Sequence, residues 1–322
     1  MSFNFAIKRR SMFVGAGAAF VGASIAADKL HAAESPSPSE GESDEPFRYC
    51  LNTSTIRGNA GTFVEKLHAI SRAGFRAIEP WQDEIEGHLK AGGTLKDLRS
   101  RCDDLGLTIV SVIAFHDWIV DDADRRKAGL ERAKRDFDVL AQLGVTRAAA
   151  PPAGAVEIAM TNYADMAERY RNLLEVGQPF GIAPQLELWG FSKTLSRVGE
   201  VAHVAIEAQH PAAGILLDVY HLHKGGNLPE SVSMIAGGAM HVIHLNDYPS
   251  DPPRETIKDS HRVMPGDGSA PLTDILRRLK SGGFNGYLSL ELFNGDLYTQ
   301  DPLLVCRVGL EKMQAAVQAA FA

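Results

Sequence analysis

The sequence predicts an α/β protein folded as a single (β/α)8 TIM barrel, and three observations carry that prediction. Short apolar runs alternate with amphipathic stretches eight times between residue 47 and the C-terminus. Runs of that kind read as buried parallel strands, and strict strand–helix alternation reads as a parallel sheet covered by helices. Eight units in about 270 residues is the count that closes into a barrel. The first run is followed by Asn52-Thr53-Ser54-Thr55, not by the glycine-rich phosphate loop that an open doubly wound sheet places there.

The units follow in order. Tyr49–Ile56 is the first strand, and Thr62–Ala73 its helix, stopped at Gly74. Ala77–Trp81 precedes the helix Leu95–Leu105, stopped at Gly106, and Thr108–Phe115 precedes Asp122–Leu143, stopped at Gly144. Glycine just past the last apolar repeat is the usual helix C-terminal signal. Arg147–Pro151 pairs with Asn162–Val176, Gln185–Trp189 with Leu195–Glu207, and Gly214–Tyr220 with Pro229–Ala236. His241–Leu245 is followed by Leu272–Lys280, and Tyr287–Phe293 by Pro302–Ala319.

The 322 residues are 45% hydrophobic and 23% charged, an ordinary globular composition. Residues 1–33 stand apart. Lys8, Arg9 and Arg10 precede an uncharged Ala/Gly-rich stretch from Ser11 to Ala27, the pattern of an export signal. The paired arginines suggest the twin-arginine route, hence an exported, periplasmic protein. Residues 34–46, ESPSPSEGESDEP, hold five carboxylates and no aliphatic or aromatic side chain. Such a segment cannot offset its ordering entropy and reads as a disordered tether to the barrel of 47–322. The first 33 residues carry four basic and one acidic side chain, so of the overall −7 the barrel keeps −5. A mildly acidic domain without a basic block argues against nucleic acid as a partner. Membrane contact is expected only through the export signal, and homo-oligomerisation is left open. Cys50, Cys102 and Cys306 are far apart and odd in number, so they read as packed free thiols.

A barrel of this kind does its chemistry at the C-terminal ends of its strands. Those ends hold Asn52, Glu79, His116, Glu187, Asp218, His244 and Glu291. The last four lie on consecutive strands, in QLELWG, ILLDVYHLH, HVIHLND and LSLELF. An ionised carboxylate inside an apolar strand is costly unless paired or coordinated. Four potential ligands at one rim therefore point to one divalent cation. Three carboxylates and an imidazole suit Mn²⁺, Mg²⁺, Co²⁺ or Zn²⁺.

These residues carry a resemblance. Leu186-Glu187, Leu217-Asp218-Val219-Tyr220-His221, Ile243-His244-Leu245-Asn246-Asp247, His261-Arg262 through Gly268, and Ser289-Leu290-Glu291-Leu292-Phe293 resemble the xylose isomerase-like sugar isomerase/epimerase superfamily, and within it the inosose isomerases. The resemblance extends from about Arg48 to the C-terminus and is strongest in the second half. It implies a cation on Glu187, Asp218, His244 and Glu291, and substrate contacts from His221 and Arg262.

The residues themselves support an enediolate mechanism. A cation on a carbonyl and its neighbouring hydroxyl would act as Lewis acid and template, and Glu187 and Glu291 would remove and return the proton. Arg262, before the turn Met264-Pro265-Gly266-Asp267-Gly268, would reach substrate oxygens. His116, Trp81, Trp118, His223 and Lys224 are further candidates for the pocket, the indoles as stacking faces for a sugar. The expected substrate is a small carbohydrate, a keto sugar or cyclitol. Two alternatives remain at this level: a lyase or hydrolase acting on exported 3-keto-glycosides, and a carbohydrate-binding barrel without catalysis. Paired glutamates argue against the last.

Overall fold

The computed structural model describes residues 45–322. The expected export signal and all of the expected tether except Glu45 and Pro46 lie outside the described residues. Eight parallel strands form one sheet: β1 (Arg48–Asn52), β2 (Ala77–Glu79), β3 (Thr108–Ile109), β4 (Arg147–Ala150), β5 (Ala183–Glu187), β6 (Ile215–Asp218), β7 (Val242–Leu245) and β8 (Tyr287–Leu290). The hydrogen-bonded order is β3-β2-β1-β8-β7-β6-β5-β4. Closure runs through Val112, just past β3. It makes a parallel bridge to Ala148 of β4, with the Ala149 amide donating to the Val112 carbonyl at 2.9 Å. The fold is the TIM barrel that the strand–helix alternation predicts.

The helices are α1 (Phe63–Ala73), α2 (Gln82–Lys90), α3 (Leu95–Asp104), α4 (Ala123–Gln142), α5 (Tyr163–Gly177), α6 (Val198–Glu207), α7 (Val219–Lys224), α8 (Leu272–Ser281) and α9 (Pro302–Phe321). Their starts follow from capping chemistry. Thr62 and Glu65 form a reciprocal capping box on α1, while Thr94, Asp122, Asn162 and Asp301 cap α3, α4, α5 and α9. Gly74 ends α1 at φ 111°, a conformation that other residues rarely adopt.

Side chains alternate across each strand, and this decides what faces the barrel axis. Leu51, Ile78, Leu186, Leu217, Ile243, Leu288 and Leu290 all belong to the large apolar shell between strands and helices. Their neighbours therefore point inward. Cys50, Ala77, Val110 and Val242 form one small interior cluster, and Ile113, Ala149 and Leu216 another. The next inward positions along the strands are Asn52, Glu79, Glu187, Asp218, His244 and Ser289, all buried.

Several boundaries differ from the sequence expectation. Thr53–Ile56 is a 3₁₀ turn, because the Asn52 side chain accepts from the Ser54 amide and turns the chain out of the strand. The segment Gln82–Lys90, expected as a connection, is α2; among its charged residues only Ile85 and Leu89 mark the inner face. Likewise Val219–Lys224 is α7, capped by Asp218 itself, and Pro229–Met234 is 3₁₀ and not α-helical. The three cysteines are free and buried. Among the described residues no helix is long and apolar enough to cross a membrane.

Candidate active site and metal centre

At the C-terminal end of the barrel, Asp218, His244 and Glu291 offer ligand atoms that all lie within 4.8 Å of one another. Asp218 is the last residue of β6, His244 sits within β7, and Glu291 immediately follows β8. The His244 Nδ1 atom faces Glu291 Oε2 at 3.0 Å, Asp218 Oδ2 at 3.5 Å and Glu187 Oε1 at 3.8 Å. Glu187, the last residue of β5, thus faces the same imidazole nitrogen as Asp218 and Glu291. All four residues are at most 3% exposed.

A second layer holds this group in place. Glu79, from β2, meets His244 Nε2 at 3.0 Å and also accepts from Ser289 Oγ at 2.8 Å and Asn52 Nδ2 at 3.1 Å. The same Asn52 amide donates to Glu291 Oε1 at 3.1 Å, and the Asn246 amide donates to Asp218 Oδ2 at 2.9 Å. Arg262, itself fully buried, donates through Nη1 to both Asp218 Oδ2 and Glu291 Oε2 at 2.7 Å. Its Nη2 reaches Asp259 Oδ1 at 2.5 Å and lies 3.2 Å from His221 Nε2.

Arg262 is held from below by Asp247. The backbones of Asp247 and Val263 exchange two hydrogen bonds, and the Asp247 carboxylate accepts from the amides of Tyr248, Gly266, Gly268 and Ala270. A Cβ on Gly268 would stand 2.3 Å from that carboxylate, so glycine lets the turn close on it. The turn expected after Arg262 is therefore tied down by an acid that the sequence reading left without a role.

Burial and charge set the protonation pattern. Burial pushes the Glu187 carboxyl up to about 8, helped by Glu291 and Asp218 and opposed by His244. Burial also acts on Asp218, but the Arg262 guanidinium and then His221 outweigh it and hold this carboxyl far below the usual carboxylate range. Burial likewise opposes a charge on His244, yet Glu291 and Glu79 raise its pKa well above the ordinary imidazole value. His221 goes the other way: burial lowers it to about 4, so it is neutral near pH 7.

The donor set fits a divalent cation. Glu79 on Nε2 fixes the His244 ring and leaves Nδ1 aimed at three carboxylates, without a well-directed hydrogen bond. An imidazole with a carboxylate behind it and a free nitrogen in front is the usual arrangement of a metal-ligating histidine. Glu187 Oε2 is also buried without a partner. Asp218, His244, Glu291 and Glu187 are the residues that could hold the ion.

Around this polar base runs a closed collar of side chains, in barrel order. Phe293 lies 6.0 Å from Trp81, Trp81 5.3 Å from Phe115, Phe115 5.1 Å from Trp189, Trp189 5.2 Å from Phe191, and Phe191 5.3 Å from His221. His221 touches Arg262, whose guanidinium carbon sits 5.0 Å over the Phe293 ring and completes the circuit. Trp81 is tied to the base as well, donating from Nε1 to Asn52 Oδ1 at 3.0 Å.

The structure does not bring the remaining candidates together with this group. His116 Nε2 lies 2.8 Å from Asp136 Oδ2 of α4, and its ring packs edge-on against Phe137. Trp118 is buried in the core and donates to the Pro151 carbonyl. His223 stacks on Tyr248, and Lys224 donates to the carbonyls of Arg254 and Glu255. Conversely, Glu79 carries the same signal as the others, an acid ending an apolar strand, and could have been assigned from it. Asn246 and Asp247 follow the β7 run and give no such signal.

The profile of the xylose isomerase-like TIM barrel family matches residues 67–315. The 3-dehydroshikimate dehydratase of Pseudomonas putida is 28% identical over 236 residues, which are 73% of this chain and 36% of that protein. The inosose isomerase of Bacillus velezensis is 29% identical over 156 residues, 48% of this chain and 55% of that protein. The chain thus spans little more than a third of the dehydratase and about half of the isomerase. Among solved structures, the IolI protein with a bound zinc atom superposes with a TM-score of 0.79 at 21% identity, over 86% of this chain and 100% of that one.

Proposed function

We propose that this chain, which belongs to the xylose isomerase-like TIM barrel family, is a divalent-cation-dependent isomerase or epimerase of a keto sugar or cyclitol. The observation that carries the reading is the meeting of Asp218, His244 and Glu291 on the barrel axis with Glu187 beside them. The inosose isomerase among its relatives agrees with it, and the zinc in the IolI structure agrees with a divalent cation here.

When bound, the cation supplies Lewis-acid polarisation of the hydroxy-ketone. The chain's own residues do the rest. Glu187 has one oxygen without a partner and a carboxyl that titrates near neutrality, so it can take and return a proton at the substrate carbon. Glu291 is the second carboxylate for the opposite side, its oxygens steadied by Asn52 and Arg262. His221 is neutral and accepts from Arg262 on Nε2, which leaves Nδ1–H without a protein partner to donate to a substrate oxygen. Arg262 balances the acids around it with its Nη hydrogens and keeps Nε–H without a partner, a second donor for the substrate.

A second reading, loss of the proton next to the ketone with expulsion of water or an alkoxide from the β-carbon, is favoured by the match to a dehydratase over 73% of the chain. Proton removal is common to both, and a protonated Glu187 could assist the leaving group. Incubating the cation-loaded protein with inososes and other keto sugars in D₂O, followed by NMR, separates them. A moved carbonyl or inverted carbon supports the first reading, a new double bond the second, and no α-exchange with any of them defeats both. The basic residues Lys8, Arg9 and Arg10 support export by the twin-arginine route. A reporter fused after Pro46 should be exported, and the Arg9→Lys/Arg10→Lys pair should retain it in the cytoplasm.

A further inference from the structure

Arg262 stands on the oxygens that a cation would need. His244 Nδ1 faces Asp218 Oδ2 and Glu291 Oε2, and Arg262 Nη1 lies 2.7 Å from both of those oxygens. Asp218 has little left to offer beside it. Its Oδ2 also accepts from the Asn246 side chain at 2.9 Å, and its Oδ1 from the His221 backbone amide at 2.8 Å. A carboxylate oxygen has about two lone-pair sites, so Asn246 and Arg262 together fill Oδ2. These two donors are not equally fixed. Asn246 directly follows β7 and is tied at its other end, where Oδ1 accepts from the Tyr220 amide at 2.9 Å. Arg262 follows a 3₁₀ turn and has a second set of partners away from His244: Nη2 reaches Asp259 Oδ1 at 2.5 Å and lies 3.2 Å from His221 Nε2. Its guanidinium carbon also packs on two rings, 4.5 Å from the centroid of Tyr220 and 5.0 Å from that of Phe293.

We propose that Arg262 is an exchangeable occupant of the cation site. Nη1 gives up Asp218 Oδ2 and Glu291 Oε2 as a cation is taken up, while Nη2 stays on Asp259 and His221. The inference rests on the cation reading of this site given above. The exchange balances in charge, because the two acids lose a guanidinium and gain a divalent ion. It also fixes a sign. A residue that only positioned the ligands would strengthen cation binding, whereas Arg262 opposes it by holding the same lone pairs. Once released, the Nη1 hydrogens join Nε–H as donors for substrate oxygens. The guanidinium therefore has two tasks in order: it neutralises the acids first and turns to the substrate after the cation is in place. Cation and substrate binding are coupled through this one side chain, each favouring the arrangement that the other needs.

The test is cation affinity, measured on the full chain by competition with a chelating dye for Mn²⁺ and Zn²⁺. Arg262→Met removes the guanidinium and keeps much of the apolar stem. It should bind either cation about tenfold more tightly, the factor that one hydrogen bond between charged groups is worth. Equal or weaker affinity would make Arg262 a positioning residue and overturn the proposal while the cation reading stands. A wild-type protein that binds neither cation would remove the cation reading and this proposal together. A second readout needs no variant and follows the side chain itself. In the wild-type NMR spectrum the Arg262 Nη–H signals, assigned through their contacts to the Tyr220 ring, should lie downfield, where short bonds to carboxylates hold them. They should move upfield as Zn²⁺ saturates the protein. Signals that stay downfield at saturation would overturn the exchange even if Arg262→Met binds more tightly.

Discussion

Strands β5 to β8 deliver Glu187, Asp218, His244 and Glu291 to the barrel axis, whereas β1 to β4 deliver a single acid, Glu79, and then the aromatic arc of Trp81 and Phe115. One half supplies the clustered ligands, held by Asn246 and Arg262, and the other adds Glu79 and Asn52 to orient them and shares the apolar wall with Trp189, Phe191 and Phe293. At the base the halves meet through Glu79, bonded to His244 and Ser289, and through Asn52, bonded to Glu291. A reaction that develops charge on a sugar ketone needs both: ligands and bases in close array, and a rigid dry surround that keeps them aimed.

The largest effect should come from the charged half. Glu187→Gln and Glu291→Gln should each lower turnover by about 10²–10⁴-fold, read in a coupled or NMR assay. Whichever variant removes the first-acting base should also stop deuterium exchange at the α-carbon. Product at wild-type rates in both, with the cation retained, would reduce these glutamates to ligands. Metal analysis of Asp218→Asn and His244→Ala should show loss of bound cation.

Glu79 tests whether the first half matters to that chemistry. Glu79→Gln keeps the volume but loses the charge behind His244, and should weaken cation affinity by about 10–100-fold, measured by competition with a chelating dye. Wild-type affinity would mean that His244 is oriented by packing alone.

A smaller effect is expected in the pH dependence of the metal-free protein. The folded-state pKa of Glu187 is raised from 4.5 to about 8, so the folded protein binds the extra proton and stability falls as pH rises toward 8. His221, lowered from 6.5 to about 4, works in the opposite sense below 6.5. The clear window is therefore from about 6.5 to about 8, where Tm should decline and Glu187→Gln should flatten the decline. His244, raised from 6.5 as well, adds to the decline within that window and continues it above, so Glu187→Gln removes only part of it.

The smallest functional effect should come from His116. Its bond to Asp136 is buried and faces α4, so His116→Ala should cost about 1–3 kcal/mol of stability and lower Tm with little change in KM. A large rise in KM at unchanged Tm would put this histidine in the pocket after all.

Much of the fold was legible because the relevant signal is local. The period-2 alternation Leu186-Glu187, Leu217-Asp218 and Ile243-His244 places the apolar residue outward and the polar one inward whatever else the chain does. Eight such runs separated by helices leave few topologies open. The short helices Gln82–Lys90 and Val219–Lys224 escaped because their apolar residues are too few to set a period, and α7 starts on a residue that the strand also uses.

By itself, then, the sequence determined the barrel and the row of ligands at its rim, since both follow from local periodicity and from the cost of burying a charge without a partner. Which way His116 turns, the pairing of Glu79 with His244 across 165 residues, the grip of Arg262 on acids 44 and 29 residues away, and the closing of the aromatic collar were decided by the tertiary structure. The reason is physical: these contacts depend on the order and closure of strands, which bring together side chains whose own neighbourhoods in the chain carry no trace of one another.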